Sequence, residues 1–222
     1  SSDWSSDVCS SDLINMKKLI LSLAIAAIAA GSAMAQVSVG AGYLNQTSKS
    51  SLSESSSSKG SSDGFYVGAA FSCPIIAGLS VDPGVYYGFL TSSTDVNIAG
   101  FELANGKTQS HYLMIPIDLR YSFHALDFLD VFALAGPRFN VGLASTTTVS
   151  ALGDAVEQKV DNYGENSSLQ RFDFGLGVGI GFDLFQMVRI KVGYDWGLLD
   201  VNKTDAVTTN NSMLHAGVAF LF

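Results

Sequence analysis

The 222-residue chain is 47% hydrophobic and only 14% charged, with a formal net charge of −8 at neutral pH. Beyond residue 35, 17 Asp or Glu face 10 Lys or Arg, which excludes the basic footprint of a nucleic-acid binder. The two cysteines, Cys9 and Cys73, fall on opposite sides of the export signal described next, so a disulfide framework is excluded as well.

Residues 1–15 repeat Ser-Ser-Asp three times ahead of Met16 and read as a non-native leader. From Met16 the order is that of a secretory signal: Lys17 and Lys18, an apolar stretch from Leu19 to Ala30, then Ala33-Met34-Ala35 as a cleavage site. The signal peptide therefore spans 16–35, and the exported chain begins at Gln36. Its apolar stretch falls short of the roughly 20 residues a spanning helix needs. Gln36 is not a cysteine, so no lipid anchor is expected there.

From Gln36 to the end, residues 36–222 form one domain. Few charges and many apolar side chains would suit a secreted β-sandwich as well as a membrane barrel, so the pattern decides. Apolar residues alternate with polar or small ones, the period of a strand with one oily face. Strands are predicted over Val37 to Asn45, Phe65 to Pro74, Leu79 to Leu90, His111 to Ser122, Val131 to Leu143, Gln170 to Leu184, Val188 to Leu199 and Ser212 to Phe222. In the sixth, Phe172, Phe174, Leu176, Val178, Ile180 and Phe182 alternate with Asp173, Gly175, Gly177, Gly179, Gly181 and Asp183. Connections alternate too: long at 46–64, 91–110 and 144–169, short at 75–78, 123–130 and 185–187. Asp200 to Asn211 is a last, moderate loop.

Long loops on one side and short turns on the other are the asymmetry of outer-membrane barrels. The fold class is therefore all-β: an eight-stranded antiparallel transmembrane up-and-down barrel with short periplasmic turns and long extracellular loops. In hydrocarbon each unpaired edge group costs several kcal/mol, so the last strand must pair with the first. That last strand ends on Phe220 and Phe222, which resemble the terminal signal read by the barrel-insertion machinery.

Three segments carry a family resemblance. Leu79-Ser80-Val81-Asp82-Pro83-Gly84-Val85-Tyr86-Tyr87, Tyr112-Leu113-Met114-Ile115-Pro116-Ile117 and Ala133-Leu134-Ala135-Gly136-Pro137 resemble the third, fourth and fifth strands of the PorT-like outer-membrane β-barrel family. The resemblance implies an integral outer-membrane protein whose partners are outer-membrane lipid and, during biogenesis, the insertion machinery. It implies no activity, because that family is defined by its fold.

Eight strands enclose a lumen just wide enough for side chains to fill. The inward set predicted is Asp82, Asp118, Arg120, Arg138, Arg171, Asp173, Asp183, Arg189, Lys191 and Asp195, joined by His215. Charges of both signs suit a self-neutralising network that plugs the lumen. The alternative is a narrow polar pathway or a small-ligand pocket near the mouth, for which the inward glycines leave space unless Tyr86, Tyr112 or Phe132 fill it. Pro83, Pro116 and Pro137 each remove a ladder donor and are expected to sit at bulges. Tyr87, Tyr194 and Trp196 suit either an interfacial aromatic girdle or plain lipid-facing packing.

A membrane hydrolase is the reading from another class. Ser110, His111 and Glu102 cluster in sequence, but adjacent strand residues face opposite ways and no nucleophile motif surrounds Ser110. No His, Cys and carboxylate cluster has metal-ligand spacing, and no cofactor is expected. The Ser-rich stretch from Ser48 to Ser62 reads as a solvated surface segment. The functional expectation is a non-enzymatic, monomeric barrel with a structural or surface-interaction role, a ligand reaching it through loops 46–64, 91–110 and 144–169. A small porin or transporter is the alternative.

Overall fold

A computed structural model describes residues 36–52, 56–98, 101–151, 156–163, 170–199 and 207–222. The leader, the signal peptide and the cleavage residues Ala33 and Ala35 lie outside the described residues. Gln36 opens the first strand.

The described residues form nine strands: β1 (Gln36–Leu52), β2 (Ser56–Ile76), β3 (Leu79–Ile98), β4 (Phe101–Leu126), β5 (Leu129–Ala151), β6 (Val156–Asp161), β7 (Phe172–Leu184), β8 (Val188–Gly197) and β9 (Val207–Leu221). Eight of them close a ring in the order β1, β2, β3, β4, β5, β7, β8, β9, every neighbouring pair antiparallel. The closing seam is β9 on β1, from Ser38↔Leu221 to Leu52↔Val207. Val37 and Phe222 exchange both backbone hydrogen bonds at its end, at 3.2 and 2.8 Å. The ninth strand, β6, lies outside the ring and pairs only with the far end of β5.

Carrying the register from Ser38 through Ala70, Gly84, Pro116, Arg138, Gly175, Gly197 and Asn211 returns to β1 at Ser48, ten residues further along, with Gly84 set opposite Pro116 by the Pro83↔Ile117 register and Gly197 opposite Asn211 by the Trp196↔Ser212 register. With a rise of about 3.3 Å per residue and strands about 4.8 Å apart, that stagger sets a tilt of about 40° and a backbone radius of about 8 Å. At this tilt about ten residues cross an apolar band about 25 Å tall. β8 is just that long and β7 a little longer.

Several strands run well past this length, which corrects the predicted loop boundaries. Most of 46–64, 91–110 and 144–151 is hairpin: β1 and β2 pair out to Leu52↔Ser56, β3 and β4 to Ile98↔Phe101. Loss of the oily alternation marks where the membrane ends, not where the ladder ends. Outside lipid, residues such as Thr146, Thr147, Thr148 and Val149 still favour extended backbone without any apolar face. For the same reason the Ser-rich segment is paired strand at 48–52 and 56–62. The turns are correspondingly tighter than predicted, Ala77–Gly78 and Asp127–Phe128.

Pro83, Pro116 and Pro137 do not sit at bulges. Pairing lapses between Pro83↔Ile117 and Tyr86↔Met114, and again between Pro116↔Arg138 and Leu119↔Ala135, yet both strands advance three residues each time. A missing N–H deletes a rung without inserting a residue, so register survives. The real register shifts fall elsewhere, at Pro74/Ile76, Val96/Asn97, His111/Tyr112 and His124/Leu126.

Side chains obey the period of two. Along β7, Leu176, Val178 and Ile180 are exposed on the outside, while Gly175, Gly177, Gly181 and Asp183 face in. On β9, Leu214, Val218, Phe220 and Phe222 point out, and Met213, His215, Ala219 and Leu221 point in. Tyr87 and Trp196 are exposed on the same outer surface, and Tyr194 meets Trp196 edge-on with ring centres 5.1 Å apart.

The β7–β8 turn carries strain. Its 184–187 turn is closed by Met187 N–H donating to the Leu184 carbonyl at 3.0 Å, with Phe185 and Gln186 at φ 53° and 54°. Both central residues are left-handed, a conformation where glycine or asparagine is usual. Phe185 is held there by stacking on Phe128, ring centres 5.7 Å apart.

Candidate functional site

The lumen is filled in layers that the inward register of each strand dictates. Nearest the short turns lies a quartet of two arginines and two aspartates. Arg120 Nε donates to Asp82 at 2.6 Å, and Arg189 grips Asp183 through Nε and Nη2, both at 2.8 Å. Cross-pairs close the square: Arg120 to Asp183 at 3.7 Å and Arg189 to Asp82 at 3.5 Å. Phe132, fully buried, sits against both guanidiniums, 5.5 and 5.1 Å from its ring centre. Ser80 donates to Asp82 at 2.8 Å, and Arg120 also donates to Ser122 at 2.5 Å. The quartet is electrically neutral, and buried charge persists only when matched in this way.

A second charged layer lies beyond it. Arg138 spans the lumen between Asp118, which its Nη1 contacts, and Asp195, 2.9 Å from its Nε. His215 Nε2 approaches the same Asp195 at 3.5 Å. Lys191 turns to the tyrosines: its ammonium is 4.8 Å from the Tyr86 ring centre, 6.0 Å from that of Tyr66 and 3.4 Å from the Tyr86 hydroxyl.

The glycines of β7 are the footprints of these side chains. A methyl group on Gly177 would run into Asp195 and Arg138; on Gly179 it would meet Leu134, and on Gly181 the Phe132 ring. Space left by an inward glycine of β7 is thus filled from the two neighbouring strands, β5 and β8. Of the candidate fillers, Phe132 lies over β7, and Tyr86 lies over Gly68 and Gly84; Tyr112 instead lines the mouth.

An apolar layer follows, formed by Leu44, Leu90, Met114 and Met213 with Tyr66 and Tyr86. Sequence reasoning named Tyr86 as a lumen filler and missed Leu44, Tyr66, Leu90, Met114 and Met213. The signal was available, since Leu44 shares a face with Gly40, Gly42 and Gln46, and Met213 one with His215 and Gly217.

Last comes the mouth on the hairpin side, a cavity of about 130 Å³ open to the outside. Its lining includes Gln46, Tyr112, Asn140, Tyr163, Arg171, Asp173 and Asn211, with Met213 at its floor. Arg171, predicted to point into the charge network, is exposed here, where a strand's end gives way to loop. Its Nη2 donates to the Tyr163 carbonyl at 3.2 Å, and its guanidinium lies 5.3 Å from the Tyr163 ring centre. Asp173 also belongs to the mouth. Nothing in the sequence marked Tyr163, because β6 and the turn after it have no oily period.

Ser110 and His111 face opposite sides of the wall. Ser110 shares a hydrogen bond of 2.8 Å with Ser145 inside, and His111 Nδ1 one of 2.5 Å with the Tyr87 hydroxyl outside. The Glu102 side chain lies outside the described residues.

A closed antiparallel ring with an apolar outer band, short turns at one end and extended hairpins at the other defines the chain as an outer-membrane β-barrel protein. The outer membrane protein beta-barrel domain family model matches residues 27–203, and the chain belongs to that family. It is an integral protein of the bacterial outer membrane. No curated protein sequence matches it. Among solved structures it is similar to Ail, the attachment invasion locus protein of Yersinia pestis, in complex with the heparin analogue sucrose octasulfate. Identity is 13% over 85% of this chain and 99% of that one, with a TM-score of 0.42. Neisserial surface protein A matches at 20% identity over 86% and 98%, TM-score 0.40. OprG from Pseudomonas aeruginosa matches at 14% over 85% and 95%, TM-score 0.40.

Proposed function

We propose that this barrel is a non-enzymatic outer-membrane protein whose lumen is closed by its own side chains, and that it acts structurally or through its outer face and extracellular hairpins. The observation that carries this reading is the stack of two salt-bridged layers and one apolar layer across an eight-stranded lumen. A solute would have to break paired, buried charges to pass, and separating such a pair costs several kcal/mol. Against a hydrolase stands the placement of Ser110 and His111 on opposite faces, each with a different partner.

Within the family, the segments around Pro83, Pro116 and Pro137 support a PorT-like member. Export with cleavage before Gln36, a monomeric state and delivery by the barrel-insertion machinery complete the reading. Swelling of lipid vesicles tests it: vesicles bearing the folded protein should take up a small neutral solute such as arabinose no faster than bare ones. Rapid uptake would instead favour the porin-like alternative.

A further inference from the structure

We propose that the extracellular mouth is a binding site for a neutral saccharide unit, held chiefly by Asp173 and the amides of Gln46 and Asn140. The inference rests on the surface-interaction reading and gives it a ligand class. About 130 Å³ of the mouth is open to the centre of a water molecule, and about 10 to 15 Å³ suffices for one water, so a single sugar ring has room. The mouth ends on Met213, so a ligand can enter from outside and go no further.

The lining chemistry selects the class. Asp173 is half-buried in the wall of the mouth; its carboxylate accepts from the Asn211 amide and the Phe174 N–H, and its Oδ1 has no hydrogen-bond partner among the described residues. A buried carboxylate oxygen without a donor is costly, and a ligand hydroxyl supplies the donor it lacks. The amides of Gln46 and Asn140 offer both donors and an acceptor, which matches a polyol, where every hydroxyl can do both, while the Asn211 amide accepts from Ser48 at 2.7 Å and donates to Asp173. Among the described residues the mouth is lined by one carboxylate, Asp173, and one guanidinium, Arg171, a balance that suits a neutral ligand better than a polyanion.

The wall is also built in advance. Asn162 Nδ2 donates to the hydroxyls of Ser145 and Thr147, both at 2.9 Å, and Tyr163 N–H donates to Asp161 at 2.9 Å. These bonds fix the turn after β6, while Arg171 packs on the Tyr163 ring and the Tyr163 hydroxyl lies over Gly142. A site ordered before binding loses less conformational freedom on capture.

Saturation-transfer NMR on the folded protein in an amine-oxide detergent, which carries no sugar headgroup, tests the site with glucose, galactose, mannose and maltose as probes. We expect transfer to the ring protons of at least one sugar. Asp173→Asn removes the charged acceptor, and Gly142→Ala, on β5, places a methyl against the Tyr163 hydroxyl and pushes that ring aside. Each should weaken that binding about tenfold. Both variants should keep the gel mobility of a closed barrel. No transfer from any of the four sugars, or transfer that neither variant lowers, overturns the proposal. Solute uptake by vesicles would refute the closed lumen and leave this site standing, whereas a sealed barrel that ignores all four sugars would refute only the site.

Discussion

Replacing Arg189 by methionine separates a sealed lumen from a wet one. Arg189, Asp183 and Asp82 all lie in the interior, with side chains 6%, 7% and 7% exposed. Arg189→Met leaves the quartet with one guanidinium for two carboxylates, and Asp183 keeps only Arg120 at 3.7 Å. Stranding a buried charge costs about 3 to 5 kcal/mol, whereas losing an ion pair that water screens costs about 1 kcal/mol or less. Replacing Asp183 and Arg189 together by leucine and methionine removes the matched pair and keeps the Arg120–Asp82 bridge, so the double variant should cost far less than the two singles summed. Urea titration in lipid vesicles, followed by boiled and unboiled gel mobility, measures each step. Trp196, the one tryptophan beyond residue 35, gives a second signal from the lipid face. A single-variant cost under about 1 kcal/mol with additive effects would show that water reaches the quartet, and the filled-lumen account would fail.

Val192→Arg on the outer face should cost about 2 to 4 kcal/mol in the same titration. Gly177→Ser, which the sequence alone suggests to be milder, should cost about 1 to 3 kcal/mol, because its side chain collides with the Arg138–Asp195 bridge. Phe132→Ala should cost about 3 to 5 kcal/mol by opening a cavity over Gly181 beside two guanidiniums. Gln186→Gly should stabilise the barrel by about 1 kcal/mol, since it relieves a left-handed residue; a loss of stability would mean the Gln186 side chain contributes contacts of its own. Expression from Met16 should yield an outer-membrane protein whose amino-terminal sequencing begins at Gln36, and an uncleaved chain would contradict the export signal.

The barrel was legible in the sequence because lipid imposes a strict period of two, and β7 with its oily outer row states it plainly. Strand closure followed from the cost of an open edge, without any motif. Hairpin length was not legible, since 144–151 pairs in water, where nothing requires an apolar face. The prolines misled because a lost donor was equated with an inserted residue. In the lumen, the charged residues could be found by facing, but their division into a quartet and an Arg138-centred layer depends on a stagger of ten residues that no single strand encodes. Arg171 went astray at the strand's end, where alternation no longer fixes direction. Tyr163 reaches the mouth through tertiary placement of β6 alone.

Single-channel recording in planar bilayers tests the filled lumen most directly. The folded wild-type protein should incorporate, as judged by protease-protected strands in matching vesicles, yet leave the bilayer current flat at both polarities. Steady, ion-selective openings from that same preparation would show a continuous water path past Arg138 and the quartet, and would contradict the account.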